Sequence, residues 1–298
     1  MRLSDRLLFR TAELSYRSLS PRWVSLVNRF LPGLKRRFKR AFYDRFSIAL
    51  EDLGVDGIRL LNYGYADPDG FSLPFELEPE DRAEYPYSWN LVYKTAWPGT
   101  VAGKDLLVVG CGRGGDAYFI RRYLKAATVV GVDLSRAGID ACRRAYPVAG
   151  LRFEVGDAER LRFPDGAFHA VVNIESSHSY ADPGAFYRQV FRVLRPGGLF
   201  LYCDYFWDQG FRRRLLQPEW RVVEEEEITG GVLRACRQGQ AAREALILRH
   251  APARLHGMLR EFCGLPGSAI HRAFEQGICR YLRFAIMKPS EGERDARV

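Results

Sequence analysis

The sequence predicts an α/β protein: a seven-stranded, mostly parallel sheet with helices on both faces, a helical extension in front and a helical insertion before the last strand. Three observations carry this. From residue 104 onward, short apolar runs alternate with amphipathic stretches, the pattern of buried strands joined by crossover helices. The first run ends in a cluster of glycines, "DLLVVGCGRGGDAYF" at 105–119. After residue 210 the rhythm changes, and a last strand-like run, "CRYLRFAIMK" at 279–288, follows a long helical stretch.

The extension comes first. Residues 1–50 read as helical, with Leu3, Leu7 and Leu14 on one face and arginines on the other. After Pro21, Trp23, Val27 and Phe30 make a second apolar stripe; "LPG" at 31–33 breaks it, and "KRRFKRAF" resumes a basic helix. Residues 1–46 hold twelve Lys/Arg against three Asp/Glu and so carry the whole net charge of +9. Basic amphipathic helices with Trp, Phe and Leu lie on anionic membrane surfaces, and they also serve as caps with a solvated basic face. The two roles are compatible, and peripheral membrane contact through residues 1–46 stays open. No recognition motif accompanies the charge, so no nucleic-acid partner is expected.

Residues 58–87 are rich in Pro, Gly, Asp and aromatics, and long connections of this kind tend to be lids. The helix "WNLVYKTAW" follows and ends at Pro98-Gly99. Residues 1–98 are therefore expected to form the extension and lid, 99–290 the main domain, and 291–298 a disordered tail. Within the main domain, strands are expected at 105–110, 128–134, 151–157, 169–175 and 199–206. Helices are expected near 115–125, 136–146 and 183–194. "WRVVEEEEIT" is a candidate strand and 232–275 is helical. The insertion at 210–275 would cover the carboxyl edge of the sheet, where such folds bind ligands.

Composition narrows the class. Of 298 residues, 47% are hydrophobic, enough for a real core. The six cysteines and five histidines are dispersed, without CxxC or HxxxH spacing. They predict no metal site and the reduced thiols of a cytoplasmic protein. No apolar run approaches the roughly 18–20 residues that span a bilayer, and Arg6 and Arg10 interrupt the start of the chain where a signal peptide would need an apolar core. Oligomerisation is left open.

The glycines fit two spacings. Gly110, Gly112 and Gly115 read as GxGxxG, a dinucleotide fingerprint; Gly110, Gly112 and Gly114 read as GxGxG, a nucleoside loop. Either lets a ligand approach the backbone beside a helix N-terminus. Asp133 ends the second strand and suits a ribose diol in both cases. Asp157 ends the third strand, where it can accept a hydrogen bond from an adenine amino group. "VLRPGGLFLY" then closes a helix at Gly197-Gly198 and starts the fifth strand.

In that order, these features resemble the class I S-adenosylmethionine-dependent methyltransferases. The resemblance covers about 104–206 and implies a Rossmann-like fold with S-adenosyl-L-methionine as cofactor. It implies cofactor contacts from Gly110, Cys111, Gly112, Gly114, Asp133, Leu134, Asp157, Ala158 and Asn173, with Tyr65 closing over from the lid. Two positions depart. Val108 stands where the family often has an acid, so other groups must hold the cofactor's amino-acid end. His169 replaces a usual Asp and is expected to be structural. A narrower resemblance rests on "LNYGYADP", "NLVYKTA" and "VVNIESSHSY". It is to O-methyltransferases of phthiotriolone and phenolphthiotriolone dimycocerosates and of rifamycin-type polyketides. It implies a hydrophobic small-molecule acceptor, methylated on a hydroxyl of a lipid- or polyketide-like natural product.

A hydroxyl nucleophile needs a base, and histidine is the usual one near neutral pH. His178 follows the fourth strand and is the expected catalytic base. Glu175, three residues earlier, is expected to orient it or to contact the cofactor's methionine end; a helical turn there would put both on one face. Tyr180 is a weaker candidate for the acceptor or cofactor. Phe71, Phe75, Phe206, Trp207 and Phe211 favour a large hydrophobic acceptor if they line the cleft. The rival readings are a C-methyltransferase of sterol-, quinone- or tocopherol-like isoprenoids and a cofactor-binding protein that does not methylate. A nicotinamide dehydrogenase would have the glycines and Asp133 but not Asp157 with RPGG.

Overall fold

Strand β1 (Asp105–Val109) shows how the sequence builds the centre of the molecule. Its residues 106–109 are all fully buried. Leu106 and Val108 join the core on one face, and Leu107 and Val109 join the core on the other, the period of two of an extended chain. Such a strand must be covered on both sides, which is why the run is continuously apolar. The same holds for β2 (Thr128–Asp133) and β4 (Phe168–Ile174).

The computed structural model describes residues 32–52, 58–68, 73–82, 85–97, 99–207, 210–216 and 219–290. The remaining strands are β3 (Leu151–Val155), β5 (Leu194–Phe206), β6 (Arg221–Glu227) and β7 (Arg280–Met287). They form one seven-stranded sheet in the order β3-β2-β1-β4-β5-β7-β6. Strands β1 to β5 pair in parallel, while β7 runs antiparallel to both β5 and β6. All seven expected strands are present, including the candidate in "WRVVEEEEIT". The chain leaves β1 toward β2 and β3 and then returns to the other side of β1 as β4. The carboxyl ends of β1 and β4 therefore diverge into a crevice, the place where open α/β sheets bind ligands.

The helices are α1 (Pro32–Asp52), α2 (Tyr87–Ala96), α3 (Gly115–Arg122), α4 (Arg136–Ala145), α5 (Pro183–Val193), α6 (Phe211–Leu215), α7 (Thr229–Gln238), α8 (Gln240–His250), α9 (His256–Phe262) and α10 (Ala269–Glu275). Residues of α2, α3 and α4 share one core face with α7 and α10. Residues of α5 and α6 pack on the other. Helix α6 therefore lies beside α5 rather than over the cleft. Caps mark the starts that the sequence encodes: Ser135 accepts from Gly138 N–H at 3.0 Å, and Asp182 accepts from Ala185 N–H at 3.0 Å ahead of Pro183.

Pro32 of "LPG" opens α1, the first helical position being the one proline tolerates, and the basic helix follows it. One expectation is corrected. The RPGG turn does not separate α5 from β5. It lies inside β5 as an irregularity in the pairing with β4, with Gly197 at φ 75°. The apolar stripes of Leu3, Leu7, Leu14, Trp23, Val27 and Phe30, together with Phe71 and the tail 291–298, lie outside the described residues.

Candidate active site

The cleft opens at the carboxyl ends of β1, β2, β3 and β4. Its floor is the glycine loop. Gly112 has φ 51° and faces open space, the nearest atom to an added Cβ being Leu61 at 3.9 Å. A ligand can therefore reach its backbone. Gly110 (φ 70°) has a different reason to be glycine: a Cβ there would meet Ser176 Oγ at 2.1 Å. Gly114 packs against Phe153 and Cys142 and does not line the cleft. Asp133 stands at the end of β2 with Oδ2 accepting Gly112 N–H and Oδ1 accepting Ser135 N–H, both at 2.9 Å. Burial raises its pKa. Gly110, Cys111, Gly112, Asp133, Leu134, Asp157 and Ala158 all line the one cleft. The open Gly112 backbone and the carboxylate beside it fit a nucleoside with a ribose diol. Asp157 also accepts its own turn's Glu159 N–H at 3.0 Å.

Besides Gly114, two expected contacts lie elsewhere. Tyr65 is buried away from the cleft, with the Lys94 ammonium 4.7 Å over its ring and its hydroxyl 3.2 Å from Asp67. The lid residue over the cleft is Tyr63, two positions earlier, because the segment 59–63 is pinned by Gly115 N–H to Arg59 O (3.2 Å) and by Tyr63 N–H to Glu175 (2.7 Å). Asn173 is wholly buried beneath the loop; its amide donates to Val109 O, Ser176 Oγ and Tyr180 Oη. Val108 points into the apolar core, where it is fully buried. His169 lies at the opposite, amino edge of the sheet, where it accepts Asp105 N–H and meets Arg195; it is structural, as expected.

The reaction edge is built on the turn after β4. Glu175 adopts a left-handed conformation (φ 45°), a strained state for a residue with a side chain and a mark of functional turns. The helical turn that follows spans only Ser177–Ser179. Glu175 and His178 are thus not partners on one helical face. Glu175 accepts from Tyr63 N–H and, at 2.6 Å, from the Tyr281 hydroxyl. Burial pushes its carboxyl up to about 8. His178 instead turns Nδ1 to Asp204 Oδ1 at 2.7 Å and stacks on the Tyr205 ring at 4.3 Å. Asp204, wholly buried on β5, also accepts from Ser177 Oγ (2.7 Å), His178 N–H (3.0 Å) and Tyr205 N–H (2.9 Å). Those donors compensate its burial. Sequence reasoning missed Asp204, though a single acid inside "LFLYCDYF" was a usable signal.

The walls also differ from expectation. Phe75 packs on Tyr93, Phe119 and Tyr123, and Phe206 stacks on Phe211 at 3.6 Å, all away from the cleft. Trp207 is exposed. The aromatic lining is Tyr43, Tyr63, Tyr180, Tyr205 and Phe262. Tyr43 brings α1 into the site beside Lys39, and Phe262 brings α9 from the insertion.

Comparison with known proteins agrees with this architecture. A family model described as a methyltransferase domain matches residues 107–202. The fatty-acid O-methyltransferase of Mycolicibacterium smegmatis is 35% identical over 255 residues, covering 83% of this chain and 89% of its own length. The phthiotriol/phenolphthiotriol dimycocerosates methyltransferase of Mycobacterium leprae is 34% identical over 264 residues, covering 86% and 95%. Among solved structures, the geranyl diphosphate C-methyltransferase of Streptomyces coelicolor A3(2) superposes with a TM-score of 0.62 at 18% identity, over 85% of this chain and 97% of that one; this likeness is one of fold. The chain belongs to this methyltransferase family and is an S-adenosylmethionine-dependent methyltransferase.

Proposed function

We propose that the enzyme O-methylates a hydroxyl on a large hydrophobic acceptor of lipid or polyketide type. The observation that carries the reading is the 2.7 Å contact between His178 Nδ1 and the buried Asp204. A hydroxyl must lose its proton as it attacks. A carboxylate acceptor, with a pKa of about 4, is already ionised at neutral pH and needs no base. A histidine held by an acid therefore weighs for an alcohol or phenol, even though one relative is named for fatty acids. The other is named for a phthiotriol dimycocerosate, and both names support a lipid-like acceptor.

When bound, S-adenosylmethionine supplies a methyl group activated on a sulfonium. The chain does the rest. The loop residues 110–112 and Asp133 would hold the methionine and ribose portions, and Asp157 with Ala158 the adenine. Glu175 secures the lid segment through Tyr63 and faces the methionine end. His178 keeps its Nδ1 proton on Asp204, which leaves Nε2 to take the acceptor's proton. The segment 59–63 and Phe262 exclude water and align the acceptor, from which much of the rate can come. The segment 59–63, helix α1 and the insertion at α9 act as the cover, and the basic residues of 1–46 bring the enzyme to an anionic lipid surface.

The test pairs two acceptors of equal chain length, a long-chain phenol and a fatty acid, with wild type and His178→Ala. Turnover of the phenol that collapses in the variant, with S-adenosylhomocysteine binding retained, supports the reading. Equal turnover of the fatty acid by both proteins sinks it. The neighbouring rings of Tyr63 and Tyr205 line the cleft with Glu175, aromatic faces and an acid that would also suit a carbocation. C-methylation of an isoprenoid is therefore the second reading. NMR of the product separates a methoxy group from a new C–CH3.

A further inference from the structure

Asp116 is an acid of the cleft that the reading above leaves idle. It is the second residue of α3, lines the cleft, and is only 6% exposed. Its Oδ1 accepts the Ala117 N–H at 2.7 Å. Among the described residues no Lys, Arg or His pairs with it, and its charged neighbour is another acid, Asp133. Burial, reinforced by Asp133, pushes its carboxyl up to about 7. An uncompensated carboxylate of this kind is costly in an interior. It is tolerable in a site that receives a cation.

Position says which cation. With the ribose at Asp133 on β2 and the adenine at Asp157 on β3, the amino-acid end of the cofactor falls at β1 and β4. Asp116 is carried by the helix that leaves the glycine loop of β1, beneath the lid segment that Gly115 N–H ties to Arg59 O at 3.2 Å. The amino-acid end offers one carboxylate, which Asp116 repels, and one ammonium, which it attracts. We propose that Asp116 receives the α-ammonium of S-adenosylmethionine through a charge-assisted hydrogen bond. The assignment rests on the placement of ribose and adenine above and is independent of the acceptor.

The test is calorimetric binding of three ligands to the full chain. S-adenosylhomocysteine keeps the ammonium and lacks the sulfonium charge. Its deamino analogue has hydrogen in place of the amino group. 5′-Methylthioadenosine lacks the whole amino-acid end. Asp116→Asn should weaken S-adenosylhomocysteine tenfold or more, leave 5′-methylthioadenosine within twofold, and bind the deamino analogue as wild type does. Retained binding of 5′-methylthioadenosine shows that the variant folds. Equal weakening of all three ligands, or of none, overturns the proposal. Asp133→Asn separates the two levels of argument. It should weaken all three ligands, since all carry the ribose; if it weakens none, the underlying placement fails as well.

Discussion

A neutral imidazole has one basic nitrogen, and a partner on the other nitrogen decides which one it is and where it points; in this protein that partner is Asp204. Asp204→Asn keeps the shape of the contact but removes the charge that steadies an imidazolium. It should lower kcat about 10²-fold, and His178→Ala about 10²–10⁴-fold, both with S-adenosylhomocysteine affinity within twofold by calorimetry. Loss of cofactor binding in step with kcat would show that the pair is structural. Glu175 makes a separate prediction, about stability. Its folded carboxyl is pushed up to about 8 by burial, against about 4.3 in an unfolded chain. Between those values the folded state binds more protons than the unfolded state, so stability falls as pH rises. The stabilisation is complete below about pH 4 and lost through about pH 8. Glu175→Gln cannot ionise. Measured by thermal melts, it should match wild type near pH 4 and exceed it near pH 8. Parallel melting curves for the two proteins would refute the assignment.

Three cover elements converge on one buried arginine. Arg243 of α8 donates to Asn62 O (2.7 Å) in the lid segment and to Cys263 O (2.5 Å) beyond α9, and its guanidinium lies 3.7 Å over the Tyr85 ring. Tyr85 in turn donates to Tyr63 O, and Tyr63 N–H holds Glu175. Hydrogen bonds from a charged group are worth about 1.5–3 kcal/mol each. Arg243→Met should cost on the order of 3 kcal/mol in denaturant melts and raise the acceptor KM more than it lowers kcat, since the lid loses its fastening rather than its base. Arg243→Lys should recover only part, because an ammonium cannot reproduce the two-pronged geometry. An unchanged acceptor KM would show that the cover stays closed without the latch. This latch was illegible in the sequence for the same reason as the pairing of Asp204 with His178. The strands, their order of appearance and the glycine loop are local patterns, carried by periodicity over five to seven residues. The partner of His178 is 26 residues away on the neighbouring strand β5, and Arg243 meets a carbonyl 181 residues distant. Only the pairing of strands and the packing of helices bring such groups together. The positive φ of Glu175 is likewise invisible in its letter, so a helical spacing from 175 to 178 was read where the chain kinks.

At the scale of the whole molecule, α1 joins the surface to the cleft. Its inner side belongs to the site: Lys39 and Tyr43 line the cleft, and Asp44 accepts from Ser135 Oγ (2.6 Å) and Ala137 N–H (3.2 Å), two and four residues beyond Asp133. Its outer side exposes Arg37 and Arg40. Among the described residues no helix is long and apolar enough to cross a membrane, so attraction to a lipid surface would have to be electrostatic and interfacial. Each basic residue close to an anionic surface contributes about 1 kcal/mol. Reversing Arg37 and Arg40 to Glu should therefore weaken binding to phosphatidylglycerol vesicles at least tenfold, with no change on phosphatidylcholine. The loss should shrink as salt rises, because screening already shortens the reach of these charges to about 8 Å at physiological ionic strength. Turnover of an acceptor embedded in anionic vesicles should fall with the binding, while turnover of a dispersed short-chain acceptor stays at the wild-type rate. That contrast carries the argument. If both rates fall together, the outer charges serve the fold of α1 and its contact with Ser135. If vesicle binding survives the reversal, the attraction does not come from these two arginines.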